Sequence, residues 1–330
     1  VGRRGLIVIA AILLAVVLTA SATARPRRPH CHPAHHAIWK HGHWHCVQNS
    51  PGPAYWSQSG VGGGDGATAP SNSPPTPPPG NPGQSPAFAW IIDAAAAERI
   101  AGIDPGLASY FFARPTTFEI TSAGAGLEPN ATSTTGFADE HALHDAIVSG
   151  ALPAGTRAVL YDNEAWSATP LAQQQNPAYY YQQAAEVAHQ YGLLLIATPS
   201  PDLVDVLAPG SPQRYSAFLQ LGIAAAAARY ADVYDIQAQG SEADPSAYAS
   251  FVSQAAAQAR SANPNIELLA GISTNPSGKA VSAQIMYDAV QATKSIVNGW
   301  WLNDPFGGAG CPSCNGPYPQ MAVDFLRMMR

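Results

Sequence analysis

The sequence predicts an α/β protein of the (β/α)8 barrel type, a TIM-type barrel, preceded by three short segments of other character. Three observations carry this. From residue 87 to 330, short apolar runs alternate with alanine-rich helical stretches, the pattern of a parallel sheet with right-handed crossovers. Most of the apolar runs end abruptly in Asp, Glu, Asn, Gln or Ser, as strands do when they open onto a rim. The stretch is also close to the roughly 250 residues usual for such a barrel. A doubly wound open sheet is the runner-up. It usually carries a glycine-rich phosphate turn before a helix, and none is visible.

At the N-terminus, Arg3 and Arg4 precede an apolar run from Leu6 to Ala20, followed by Ala22-Thr23-Ala24. This reads as a signal peptide, residues 1–24, cleaved after Ala24, and places the mature chain outside the cell or at its envelope. An uncleaved anchor is the alternative, though the run is short for the about 20 residues a spanning helix needs. Valine at position 1, read as a literal GTG start, and the alanine richness suggest a high-GC bacterium.

Residues 25–50 form a His/Cys-rich segment with seven of the ten histidines, bracketed by Cys31 and Cys46. In an exported protein these two cysteines are expected to close a disulfide. His41, His43 and His45 alternate and could bind zinc or copper, but they lack the ligand spacing of a closed site. A disulfide-closed polar hairpin is the expected reading. Residues 51–86 are rich in Pro, Gly and Ser, too poor in apolar side chains to fold, and predict an extended spacer.

In the barrel region, Phe88–Ile92 reads as the first strand, ending in Asp93. Phe118–Thr121 is the next, bearing Glu119, with Tyr110–Ala113 as a candidate between them. Asp139–Val148 reads as a helix. Ala158–Tyr161 has no polar alternation and reads as a strand buried on both faces. Asn176-Pro177 opens a helix to Tyr191, where Gly192 stops it. Leu193–Ala197 is a strand, and Ser211-Pro212 opens a helix reaching Tyr230. Val233–Ala238 is a strand, Asp244-Pro245 opens another helix, and Ile266–Ile272 is a strand. Ser282–Lys294 is a helix, Ile296–Leu302 the last strand, and Met321–Met329 a closing helix.

Side chains two apart on a strand share a face, so Asp162 and Glu164 leave the Ala158–Tyr161 strand together. Asp235, Gln237 and Gln239 alternate in the same way, as do Trp301 and Asn303. With Asp93, Tyr161, Glu242, Asn275 and Asp304 they form a rim of carboxyls, amides and aromatic faces. That chemistry suits sugars: acids and amides bond hydroxyls, and rings stack on pyranose faces. Cleaving a glycosidic bond needs a protonated carboxyl at the leaving oxygen and a second acid, or the substrate itself, at the oxocarbenium-like centre. Glu164 is the candidate acid, with Glu242 or Asp235 as the second carboxylate. Residues 87–330 carry ten Lys/Arg against twenty-one Asp/Glu, a net of −11, which repels nucleic acid. The expected partner is a poly- or oligosaccharide, for a monomer that needs no cofactor. Cys311-Pro-Ser-Cys314, in a glycine-rich loop, reads as a small structural disulfide. A carbohydrate-binding barrel without catalysis is the rival function, since a fold alone does not imply an activity.

Tyr-Asp-Asn-Glu at 161–164 resembles the tail of the Asp-x-Glu strand motif of family 18 chitinases. Tyr-Asp-Ile-Gln-Ala-Gln at 234–239 is similar to a later strand of that superfamily, and Gly299-Trp300-Trp301 with Asp304 to its last. The resemblance covers three strands. It implies a glycoside hydrolase-like barrel with Glu164 as general acid, Asp162 as its electrostatic partner and Trp301 as the sugar platform. The earlier acids of the full motif are absent, since Ala158 and Leu160 stand in their places.

Overall fold

The computed structural model describes residues 35–40, 43–48, 88–121, 126–279, 281–307 and 313–330. The expected signal peptide, Cys31, His41, the spacer and Cys311 lie outside the described residues. The chain divides into two units, residues 1–78 and 79–330. In the first, β1 (His35–Lys40) and β2 (His43–Gln48) pair antiparallel, with Ala37 opposite Cys46 and Lys40 opposite His43. His43 and His45 occupy alternate positions along β2.

The second unit is a closed barrel of parallel strands in the order β10-β3-β4-β5-β6-β7-β8-β9. The strands are β3 (Ala89–Asp93), β4 (Thr117–Ile120), β5 (Thr132–Phe137) and β6 (Ala158–Tyr161). They continue as β7 (Leu194–Ala197), β8 (Val233–Ile236), β9 (Glu267–Ser273) and β10 (Gly299–Asn303). Closure is made by β10 on β3, with Trp300 opposite Trp90.

The pleat sorts side chains into two cores. Ala89, Ile91, Phe118, Leu160, Ile196 and Leu269 fill the barrel interior, with Trp301 above them. Trp90, Ile92, Val159, Tyr161, Tyr234 and Trp300 face outward against the helices. This two-sided burial is why these strands read as unbroken apolar runs. At the closing seam Gly299 is required by contact: a Cβ there would collide with the Ala89 carbonyl oxygen.

Three expectations are corrected. Tyr110–Ala113 is not a strand; residues Pro105–Phe112 form a helix capped by Asp104, whose Oδ1 accepts from Leu107 N at 3.0 Å. The eighth strand is β5, Thr-Ser-Thr-Thr-Gly-Phe, which follows β4 with no helix between. It has no apolar run to announce it. Thr132 and Thr134 take inward positions beside Phe118 and Ile120, and Thr134 Oγ1 satisfies itself on Thr132 O at 3.0 Å. The helix expected from Ser211-Pro212 to Tyr230 is also broken, into Arg214–Gln220 and Ile223–Ala228, by Gly222 at φ +67°.

Candidate functional site

The mouth of the barrel is built at one level by three neighbouring strands. Beyond β6, Asp162 continues the inward alternation of Ala158 and Leu160. Beyond β7 and β8, Thr198 and Gln237 do the same after Ile196 and Asp235. The three meet: Thr198 Oγ1 and Gln237 Nε2 both donate to Asp162 Oδ1, at 2.9 and 2.8 Å. Between the two acids, Asn163 turns the other way and is fully buried. Its Nδ2 donates to the Tyr161 hydroxyl at 3.2 Å and to Gln173 O at 3.0 Å. That anchor fixes the turn that sends Asp162 and Glu164 into one cavity.

The cavity has a volume of about 580 Å3. Of the residues expected at the rim, Asp93, Asp162, Glu164, Gln237, Gln239, Asn275, Trp301, Asn303 and Asp304 line it. Burial pushes the Asp162 carboxyl up to about 7; repulsion from Asp202 adds to this, and the bonds from Thr198 and Gln237 oppose it. Burial pushes Glu164 up to about 9, reinforced by repulsion from Asp162 and then Asp202 and opposed by Gln237. Near neutral pH Glu164 therefore holds its proton, the state a general acid needs.

Three expected residues sit elsewhere. Tyr161 faces outward, fully buried, donating to Gln173 Oε1 at 2.8 Å with its ring 4.9 Å from Tyr181. It supports the site from behind and does not reach a substrate. Asp235 is inside the barrel one inward step below Gln237, fully buried, with no partner for either oxygen. Burial, then repulsion from Asp162, pushes its carboxyl well above the usual range. Glu242 is buried and accepts from Ser273 N at 2.8 Å, holding the end of β9. Neither candidate second carboxylate lines the cavity.

Two of the lining acids are committed to structure. Asp93 caps the helix Ala94–Ile103, accepting from Ala95 N at 2.9 Å. Asp304 accepts from Thr274 Oγ1 at 2.8 Å, Tyr318 N at 2.7 Å and Arg99 Nε at 3.1 Å. It ties β9, the first helix and the loop after β10 into one corner. Cys314 on that loop is disulfide-bonded.

The sequence reading missed Asp202, Trp166, Arg99, Arg214 and Phe306, all on the cavity wall. Asp202 matters most. Its Oδ1 accepts from Ala165 N at 2.9 Å, which places it beside Glu164. Its one signal was position, directly after the Thr-Pro-Ser-Pro that ends β7. No group of three or more His, Cys, Asp or Glu among the described residues is arranged to hold a metal ion.

No family model and no curated protein matches the chain. Solved structures with a similar fold include the spore cortex-lytic enzyme SleL of Bacillus megaterium QM B1551, 11% identical, with 73% of each chain covered and a TM-score of 0.44. A chitinase from Chromobacterium violaceum ATCC 12472 is 13% identical over 74% of this chain and 100% of its own, with a TM-score of 0.40. A triosephosphate isomerase from Bartonella henselae is 13% identical over 73% and 98%, with a TM-score of 0.36. A likeness of fold does not by itself imply an activity.

Proposed function

We propose that the chain is a secreted glycoside hydrolase acting on an extracellular or cell-wall polysaccharide. The observation that carries this reading is Glu164, a carboxyl kept protonated near neutral pH in a cavity that also presents Asp162, amides and the Trp301 ring. Glu164 gives its proton to the glycosidic oxygen as the bond to the anomeric carbon breaks. Positive charge then develops at that carbon, and Asp162 and Asp202 supply the opposing charge. Water adds at the anomeric carbon, and its proton restores Glu164. Gln237 holds Asp162 in place, and Trp301 forms an apolar floor for the ring. The His/Cys hairpin and the proline-rich spacer would hold the barrel near the envelope. N-terminal sequencing of the exported chain should then begin at Arg25.

The test is reducing-end release by the full chain from chitin, peptidoglycan, α-glucans and β-glucans, beside Glu164→Gln. Release that disappears in the variant supports the reading, and release that persists moves the acid to another residue. A carbohydrate-binding role without catalysis is the second reading. It is favoured by the absence of Asp235 and Glu242 from the cavity wall and by the structural ties of Asp93 and Asp304. Binding without release on any substrate would select it.

A further inference from the structure

The cavity is out of balance in charge. Arg99 and Arg214 are the cations on its described wall, and both are committed. Arg99 is paired with Asp304, and Arg214 Nη2 lies 2.6 Å from Asp205, which is not a lining residue. Asp162, Glu164 and Asp202 have no ion-pair partner among the described residues.

Hydrogen-bond capacity is out of balance in the same direction. Asp162 Oδ1 and Asp202 Oδ1 have donors. Gln239 Oε1, on the cavity wall, is buried without one. The cavity wall therefore lacks uncommitted positive charge and leaves Gln239 Oε1 without a donor. A metal ion does not fit, because these acids do not converge on one point. An ammonium group fits: it is a compact cation whose three diverging donors can reach separate acceptors. The negative charge of residues 87–330 would also draw a polycation toward the mouth.

We propose that the sugar recognised here carries a free amine, a deacetylated 2-amino-2-deoxy hexose such as glucosamine or galactosamine, seated with its ammonium against Asp162 and Asp202. This rests on the glycoside hydrolase reading and narrows its substrate. It also bears on the chemistry. An ammonium next to the anomeric carbon opposes the positive charge that develops there, so flanking carboxylates offset it where it arises.

The test uses the full chain carrying Glu164→Gln, which binds without cleaving. Calorimetry at pH 7 and low salt, where Asp162 is half ionised and Asp202 shares the cavity, compares tetramers of glucosamine, galactosamine, N-acetylglucosamine and glucose. One of the two amine tetramers should bind at least about tenfold more tightly than either neutral one, and the difference should shrink at high salt. Adding Asp202→Asn, which keeps the acceptor for Ala165 N, should remove most of the preference while leaving the melting temperature in place. Equal or tighter binding of a neutral tetramer, or a preference untouched by Asp202→Asn, would overturn the amine assignment alone. Failure of every glycan to bind would overturn the hydrolase reading with it.

Discussion

Asp304 and Glu164 both stand at the C-terminal mouth of the barrel, and the protein treats them in opposite ways. Asp304 is surrounded by donors: Arg99, Thr274 and the Tyr318 amide. Glu164 is surrounded by acids, and burial beside Asp162 and Asp202 holds its proton on. One corner spends its polar groups on fixing loops, while the other leaves charge unsatisfied around an open cavity. A carboxyl with its full set of partners is a structural pin. A carboxyl deprived of them is available to a ligand.

The largest effect should come from exchanging the two roles. Glu164→Gln should lower hydrolysis by at least about a hundredfold, in line with loss of a general acid, measured as reducing-end release. It should not lower stability. Because the folded chain holds protons on Glu164 and Asp162 that the unfolded chain has released, stability falls as pH rises from the ordinary carboxylate range toward 9. The variant lacks the Glu164 part of that loss, so at pH 9 it should melt about 2–4 °C higher than the parent. Asp304→Ala should do the reverse, destabilising by about 3 kcal/mol through loss of a buried pair, read by denaturant melts.

Gly299→Ala tests the frame under both corners. The added Cβ strikes the Ala89 carbonyl at the closing seam, and overpacking of that kind costs about 1–3 kcal/mol. A smaller effect sharpens the contrast on the acid side alone. The pH profile of hydrolysis should be bell-shaped, rising near 7 as Asp162 ionises and falling near 9 as Glu164 loses its proton. Thr198→Val removes one of the two donors on Asp162 Oδ1. It should move the acid limb upward by less than about one pH unit and leave the alkaline limb in place.

The difference between the two corners was only half legible in the sequence. Strand ends were visible because β3, β6, β7, β8, β9 and β10 are buried on both faces and break sharply into polar residues. The shared face of Asp162 and Glu164 followed from alternation, but Tyr161, expected on the rim, lies on the opposite face, as that same alternation requires. Depth was not legible. Asp235 and Gln237 share a face, yet one step down the barrel takes Asp235 out of the cavity. Strand β5 escaped because its core contacts come from threonines. The partners that make Asp304 a pin arrive from the helix Ala94–Ile103, from Thr274 and from Tyr318, which are distant in sequence. Asp202 likewise becomes a neighbour of Glu164 only when β6 and β7 pair.

The most direct measurement is the titration of Glu164 itself, by carboxyl 13C NMR of glutamate-labelled chain with the signal assigned by its loss in Glu164→Gln. A protonated carboxyl through neutral pH, titrating near 9, is the predicted result. A Glu164 that ionises in the ordinary carboxylate range, as a solvated rim residue would, would contradict the account.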